Sequence, residues 1–140
     1  MRNVVYIFIL LFSFFSCSSD KSNEKELDSS DLIGKWKLTE AFISSGGPQY
    51  WVDVEDGEEF EFFENGTFTS NRYSECTSGI FYTELNKLLL QYNCEEFESE
   101  SENDDGFITF DLKFDSNLFI ASPTSGPICI EGCSYKYQKK

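Results

Sequence analysis

The stretch that decides the fold is GFITFDLKFDSNLFIAS, residues 106–122. Its first half carries large apolar side chains at every second position: Ile108, Phe110, Leu112 and Phe114. The residues between them are polar or charged, which predicts a β-strand with one face buried and the other in water. The Asp-Ser-Asn segment at 115–117 predicts a turn into a second strand.

The chain before this stretch carries the same kind of signal. The Asn-Gly pair at 65–66 stands between two aromatic-rich runs and predicts a hairpin. A second hairpin is predicted around the Leu-Asn pair at 85–86 in SGIFYTELNKLLLQYN. An opening strand, KWKLTEAFI, has Trp36, Leu38 and Phe42 at even spacing.

These elements predict an all-β fold of about eight short strands and no long helix. The local order of the hairpins favours an antiparallel up-and-down barrel over a sandwich, because closure removes exposed strand edges. A short helical turn is expected in SSDLIG at 29–34, capped by Ser29, Ser30 or Asp31 and ending at Gly34. The expected core side chains are Phe60, Phe62, Phe68, Phe110, Leu112 and Phe114.

An apolar segment opens the chain. Arg2 is the only charge before Asp20, and residues 4–15 are apolar apart from Ser13. A positive start followed by a short apolar run is the layout of an export signal. The run is shorter than the roughly 20 residues that a membrane-spanning helix needs. Residues 1–16 are therefore predicted to be a signal peptide that is removed on export.

The end of this segment, Phe14-Phe15-Ser16-Cys17, resembles the lipobox of bacterial lipoproteins. The resemblance implies that Cys17 becomes the first mature residue and carries the lipid, so that the membrane is a partner through the lipid. Residues 17–31, rich in Ser, Asp, Lys and Glu, would be the lipidated cysteine and a flexible acidic tether. The expected location is the cell envelope, at the bacterial outer membrane. An ordinary cleavage that leaves Cys17 as a free thiol is the alternative.

Four further cysteines remain: Cys76, Cys94, Cys129 and Cys133. An even number in a small exported domain predicts two disulfides. The pairs nearest in sequence are Cys76–Cys94 and Cys129–Cys133. A zinc site made of all four thiolates is the rival interpretation, although no C-x-x-C pair supports it.

Composition limits the function. The 140 residues carry a formal charge of −14, which disfavours nucleic acid as a partner. Fifteen Phe, seven Tyr and two Trp predict a packed core. The absence of histidine excludes histidine-based catalytic triads and imidazole metal sites. The chain is therefore predicted not to be an enzyme and to have no catalytic residue, no metal and no cofactor.

The segments LIGKWKL, FEFFENGTFTSNRYSECTSGIFYTELNKLLLQYNC and CIEGCSYKYQKK together resemble the lipocalin-like domain of small bacterial lipoproteins. The resemblance covers residues 32–140 and implies an eight-stranded barrel. Gly34-Lys35-Trp36 matches the Gly-x-Trp of lipocalins, whose tryptophan seals one end of the barrel beneath an arginine of the last strand. Here the last strand offers Lys136 and Lys139 instead.

The same resemblance implies a non-catalytic binding module for a small apolar ligand. Tyr50 and Trp51 are candidate ligand contacts, because the first long loop of lipocalins tends to lie over the cavity mouth. The alternative for Trp51 is packing on the barrel edge. The alternative function is a structural or protein-interaction component of the envelope, with a barrel filled by its own side chains. Its contact surface would be the segment 95–105, EEFESESENDD, with seven acids.

Overall fold

The structure is a computed structural model that describes residues 27–44, 46–127 and 132–140. These residues form one short helix and nine strands. The elements are α1 (Ser29–Leu32), β1 (Gly34–Ile43), β2 (Tyr50–Asp53), β3 (Glu59–Phe62), β4 (Thr67–Ser70), β5 (Ser78–Glu84), β6 (Lys87–Tyr92), β7 (Ile108–Asp115), β8 (Leu118–Pro123) and β9 (Ser134–Lys139).

The strands close into an antiparallel barrel. From β3 to β9 each strand pairs with the next along the chain, and β9 returns to pair with β1. The first half of β1, residues 34–37, pairs with β3, and its second half, residues 40–43, pairs with β2. Strands β2 and β3 therefore pair with different halves of the same edge of β1. Together they take one strand position, so the nine strands make an eight-stranded barrel. The predicted closed up-and-down barrel is confirmed.

The two ends of the barrel differ. The turns β3–β4, β5–β6 and β7–β8 are short and lie with α1 at one end, which we call the helix end. The longer connections, with the described residues 44, 46–49, 54–58, 71–77, 93–107, 124–127 and 132–133, lie at the other, the loop end. The three short turns occur at the predicted positions, with positive φ at Gly66, Leu85 and Ser116.

Helix α1 begins one residue earlier than predicted. Its N-cap is Asp28, whose carboxylate accepts from the Ser30 N–H at 2.9 Å, while Asp31 accepts from the Asp28 N–H at 3.2 Å. This capping box satisfies two backbone donors at once, so the expected cap at Ser29, Ser30 or Asp31 was wrong. The helix ends at Leu32 with Ile33 as its C-cap, and Gly34 already belongs to β1.

The first described residues belong to the range predicted to be a tether, and they contact the barrel. Leu27 is buried against the barrel, and its N–H donates to Asn86 Oδ1 at 3.4 Å. The cleavage site, Cys17 and residues 18–26 lie outside the described residues. No helix in the described ranges is long and apolar enough to cross a membrane.

The core is made of side chains that alternate along the strands, as the sequence predicts. Of the expected core residues, Phe114 alone is half-buried; it packs against the cluster from its margin. The fully or almost fully buried rings and aliphatic chains include Leu32, Trp36, Phe60, Phe62, Phe68, Phe81, Leu88, Leu90, Ile108, Phe110, Leu112, Phe119 and Tyr137.

Gly79 in β5 occupies a place with no room for a side chain. An added Cβ would lie 2.1 Å from the Gln91 carbonyl oxygen and 2.8 Å from the Phe68 ring. Gly79→Ala is therefore expected to lower the free energy of unfolding by about 2–3 kcal/mol through overpacking. Urea denaturation would measure it against Gly47→Ala, which meets no atom within 4 Å and should change stability by less than about 0.5 kcal/mol. Equal losses in both variants would contradict the explanation.

Candidate functional site

The interior of the barrel is filled by its own side chains. In its middle, a free space of about 10 Å³ remains between Phe60, Leu88, Leu90, Phe110, Phe119, Ala121 and Tyr137. A space of that size holds at most about one water molecule. Ligand sites for small molecules are commonly about 300–1,000 Å³. The middle of the barrel therefore has no room for an apolar ligand.

Trp36 lies at the helix end of this interior. Its side chain is 0% exposed, and its indole N–H donates to the Leu32 carbonyl at 2.7 Å. The ring packs edge-on against Phe119 and Phe114, with centroid distances of 4.8 and 5.7 Å. Lys139 Nζ lies 5.2 Å from the ring centroid. A lysine of the last strand thus takes the place over the tryptophan that an arginine has in lipocalins.

A polar network closes the interior towards the loop end. Arg72 Nη1 lies 3.4 Å from Glu58 Oε1, and the Tyr137 hydroxyl donates to the same oxygen. The Arg72 guanidinium also lies 5.7 Å from the Phe110 centroid and 5.6 Å from that of Tyr73. Both charged side chains are largely removed from water, at 21% and 17% exposed. The sequence analysis did not predict this network.

The titration of two buried tyrosines follows from their surroundings. Burial raises the pKa of Tyr137 well above its usual value, and the neighbouring Glu58 carboxylate raises it further. Burial likewise raises the pKa of Tyr92. The Tyr92 hydroxyl is buried beside Ser70 and Arg72, and no partner in the described part of the chain meets hydrogen-bond geometry.

These shifts predict a loss of stability in alkali. The native state keeps protons that the unfolded chain releases above about pH 10, so the stabilisation is complete below pH 10 and is lost as pH rises. The slope is about 1.4 kcal/mol per pH unit for each such tyrosine. Urea midpoints between pH 8 and pH 11 would measure it. Tyr137→Phe should remove part of the slope, and an unchanged slope would contradict the assignment.

Tyr50 and Trp51 are neighbours in β2 and therefore point to opposite faces of the sheet, and their role as ligand contacts stays a prediction. Trp51 packs against Phe42 at 5.1 Å, and Lys136 Nζ lies 4.4 Å from its ring centroid. Lys136 precedes the buried Tyr137 in β9 and so points to the outside, which places Trp51 on the outer wall. The Tyr50 side chain is 51% exposed in the same short strand, paired with Ile43 at the tip of the β1–β2 ribbon.

The acidic segment 95–105 lies at the loop end and is held in place. A disulfide joins Cys76 to Cys94, directly before the segment, which confirms the first predicted pair. The Tyr73 hydroxyl lies 2.8 Å from Ser99 Oγ, and the Ser125 hydroxyl donates to the Ser101 carbonyl at 2.7 Å.

Several acids of this segment face one open groove. It measures about 580 Å³ and is lined by Tyr73, Glu75, Glu95, Glu96, Phe97, Glu98, Ser99, Glu100 and Ser101. Tyr73, Phe97 and the buried Tyr92 pack together beneath it, with centroid distances of 5.1 to 5.5 Å. We call this feature the acidic groove.

The remaining predicted sites fall partly outside the described residues. Cys17 and Cys129 belong to segments that the structure does not describe, so lipidation and the Cys129–Cys133 pair stay predictions. Within the described segments, no three Cys, Asp or Glu side chains are grouped so that they would hold a metal ion.

Comparison with known proteins supports the fold. The sequence matches no protein-family model and no curated protein. The structure is similar to that of a lipocalin-like protein from Bacteroides uniformis ATCC 8492, with a TM-score of 0.50 and 16% identity, over 79% of this chain and 99% of that one. It is also similar to an uncharacterized protein from Bacteroides eggerthii DSM 20697, with a TM-score of 0.49 and 15% identity, over 78% and 99%. The fold is lipocalin-like.

Proposed function

We propose that this chain is an exported, lipid-anchored envelope protein whose barrel is a rigid, non-catalytic scaffold that presents its loop end to a basic protein partner. The observation that carries the proposal is the filled interior, with a free space of about 10 Å³ at its middle. Where the described side chains fill the middle of the barrel, binding through the outer surface is favoured. The filled middle of the barrel therefore favours a protein-interaction component of the envelope over a carrier of a small apolar ligand.

The charge of the loop end supports a basic partner. The acidic groove and the rest of segment 95–105 carry Glu75, Glu95, Glu96, Glu98, Glu100, Glu102, Asp104 and Asp105. The disulfide and the Tyr73 and Ser125 contacts hold the segment, so its charges are presented with little loss of conformational entropy on binding. Charge complementarity of this kind increases the association rate and selects the partner.

The anchor at Cys17 supports the orientation. The described chain begins with Leu27 at the helix end, so a lipid ten residues earlier attaches the barrel by that end. The loop end then faces away from the membrane. Two or more acyl chains hold a protein firmly, at about 0.8 kcal/mol per buried methylene.

An apolar fluorescent probe tests the filled interior. The wild-type chain should show no saturable binding of 1-anilinonaphthalene-8-sulfonate or a fluorescent fatty acid. Leu90→Ala, which removes a buried side chain beside the small free space, should open a cavity and gain binding. Saturable, displaceable binding by the wild type that Leu90→Ala does not increase would overturn the proposal.

Neutralising acids tests the contact surface. A triple variant, Glu96→Gln, Glu98→Gln and Glu100→Gln, should weaken binding of an oligolysine peptide severalfold at low salt. The matched control neutralises three carboxylates at the helix end, with Glu64→Gln, Glu84→Gln and Asp115→Asn. Equal losses in both variants would show that binding follows net charge and not the acidic groove.

A small apolar ligand at the loop end is the second candidate function. Exposed Ile43 and Tyr50 at the tip of the β1–β2 ribbon favour it. Probe binding by the wild type that Tyr50→Ser abolishes, while Trp51→Ser on the outer wall leaves it intact, would support this candidate.

A further inference from the structure

Three large apolar side chains are exposed at the helix end: Phe63, Tyr82 and Leu85, which we call the helix-end patch. Phe63 and Tyr82 line, together with Ile33, a groove of about 230 Å³ beside α1. Leu85 follows at the tip of the β5–β6 hairpin and is 65% exposed. Phe63 and Tyr82 are 36% and 51% exposed. Apolar groups are thus concentrated at the helix end, where the three short turns lie beside the first described residues.

The backbone of Leu85 is unusual for this residue type. Its φ is +54°, in the left-handed region that hairpin turns normally fill with Gly, Asn or Asp. The side chain projects into solvent, so burial does not compensate for this strain. A bulky residue kept in a strained and exposed position indicates a contact outside the barrel.

The path of the chain identifies what that contact is. The Leu27 N–H donates to Asn86 Oδ1, so the first described residue lies beside the hairpin tip that carries Leu85. The ten residue steps from Cys17 to Leu27 span at most about 35 Å when fully extended. If Cys17 carries the lipid, as the proposed function requires, the helix-end patch lies close to the bilayer that holds the anchor.

The charges agree with this orientation and specify the type of surface. Glu95, Glu96, Glu98 and Glu100 line the acidic groove at the loop end, while Phe107, just after the acidic segment, packs edge-on against Tyr82 at 6.1 Å. Around the patch the charges are mixed: Glu64 lines the groove beside Phe63, Glu84 lies opposite Lys87 in the β5–β6 hairpin, and Lys87 pairs with Asp111 at 2.6 Å. A mixed rim does not favour a strongly anionic surface, so the matching surface is the headgroup layer of zwitterionic lipid.

We propose that the helix-end patch contacts the membrane directly, with Phe63, Tyr82 and Leu85 in the headgroup layer, and fixes the barrel upright with its loop end outward. Aromatic and leucine side chains are well suited to this layer, because their apolar surface leaves water while polar groups stay hydrated. The inference rests on the proposed lipid anchor for its proximity to the bilayer. The helix-end patch adds a second, non-covalent membrane contact to the lipid anchor.

Quenching by brominated lipid tests the contact. The full-length lipidated protein would be reconstituted into phosphatidylcholine vesicles with bromine atoms high on the acyl chains. Phe63→Trp provides a reporter in the patch, and Tyr50→Trp provides a similarly exposed reporter at the loop end. The native Trp36 and Trp51 give the background, measured on the wild type. We expect at least twofold quenching of Phe63→Trp and no quenching of Tyr50→Trp above this background.

A second variant separates the patch from the anchor. Leu85→Asn suits the left-handed turn and removes the apolar side chain, so it should fold at least as stably and reduce the quenching of Phe63→Trp severalfold. Its flotation with the vesicles should not change. Flotation without quenching of Phe63→Trp would overturn the patch contact alone. A wild-type protein that stays in the buffer would overturn the anchor and the contact together. A vesicle-free dimer that Leu85→Asn dissociates would assign the patch to a second copy instead.

Discussion

Trp36→Ala is expected to lower the free energy of unfolding by about 3–5 kcal/mol, the usual cost of removing a fully buried large aromatic ring. The ring is 0% exposed and packs edge-on against Phe119 and Phe114. Its loss leaves a cavity at the helix end and removes the donor to the Leu32 carbonyl. The Leu32 carbonyl left without its donor costs about 1–3 kcal/mol, which is included in this range and places the expected loss in its upper part.

Trp51→Ala is the matched control for this change. The same number of atoms is removed, but Trp51 lies on the outer wall, between Phe42 and Lys136. The expected loss is about 1 kcal/mol, from packing and a partly solvated cation–π contact. Urea denaturation followed by circular dichroism measures both variants without relying on the fluorescence of the removed ring. Equal losses would mean that Trp36 does not seal the helix end.

Much of the barrel could be predicted from the sequence because its signals are local. Alternation at 108–114 and the turn residues at 65–66, 85–86 and 115–117 each report the conformation of a few neighbouring residues. The disulfide between Cys76 and Cys94 was predictable for the same reason, since it bridges 18 positions within consecutive strands and loops. Closure of the barrel followed from the order of these hairpins.

The features that the sequence did not reveal depend on long-range contacts. The sequence left Trp51 between a ligand contact and packing on the barrel edge, because its position on the outer wall depends on a bulge in β1 between Leu38 and Glu40 that alters the register with β9. The filled interior depends on how rings from opposite walls interlock. Asp28 was missed as the helix cap because its carboxylate competes with three other capping residues in the next three positions.

Arg72 was missed although the sequence holds a signal for it. It is the single arginine after residue 2, in a chain that otherwise uses lysine. Arginine is preferred where a cation is buried against aromatic rings and a carboxylate, because its guanidinium is planar and less strongly hydrated than an ammonium group. Its partner Glu58 precedes it by 14 positions, and no pattern links the two in sequence.

Arg72→Met is expected to lower the free energy of unfolding by about 3–4 kcal/mol. The side chain keeps a similar length, so packing on Phe110 and Tyr73 is largely retained. What remains is the Glu58 carboxylate, 17% exposed, with the Tyr137 hydroxyl as its donor and no cation. Leaving one partner of a buried ion pair costs about 3–5 kcal/mol, and the remaining exposure places this pair towards the lower part of that range.

The double variant Arg72→Met with Glu58→Gln separates the charge from the packing. Glutamine keeps an acceptor for the Tyr137 hydroxyl and carries no charge that would be unpaired in the interior. The double variant is therefore expected to be more stable than Arg72→Met alone, with a coupling of about 2 kcal/mol in a double-mutant cycle measured by urea denaturation. Additive losses would show that Arg72 and Glu58 act independently. In that case the loop end of the barrel would be closed by ring packing and not by the ion pair, and the rigid closure that the proposed scaffold needs would have to come from Tyr92 and Phe97.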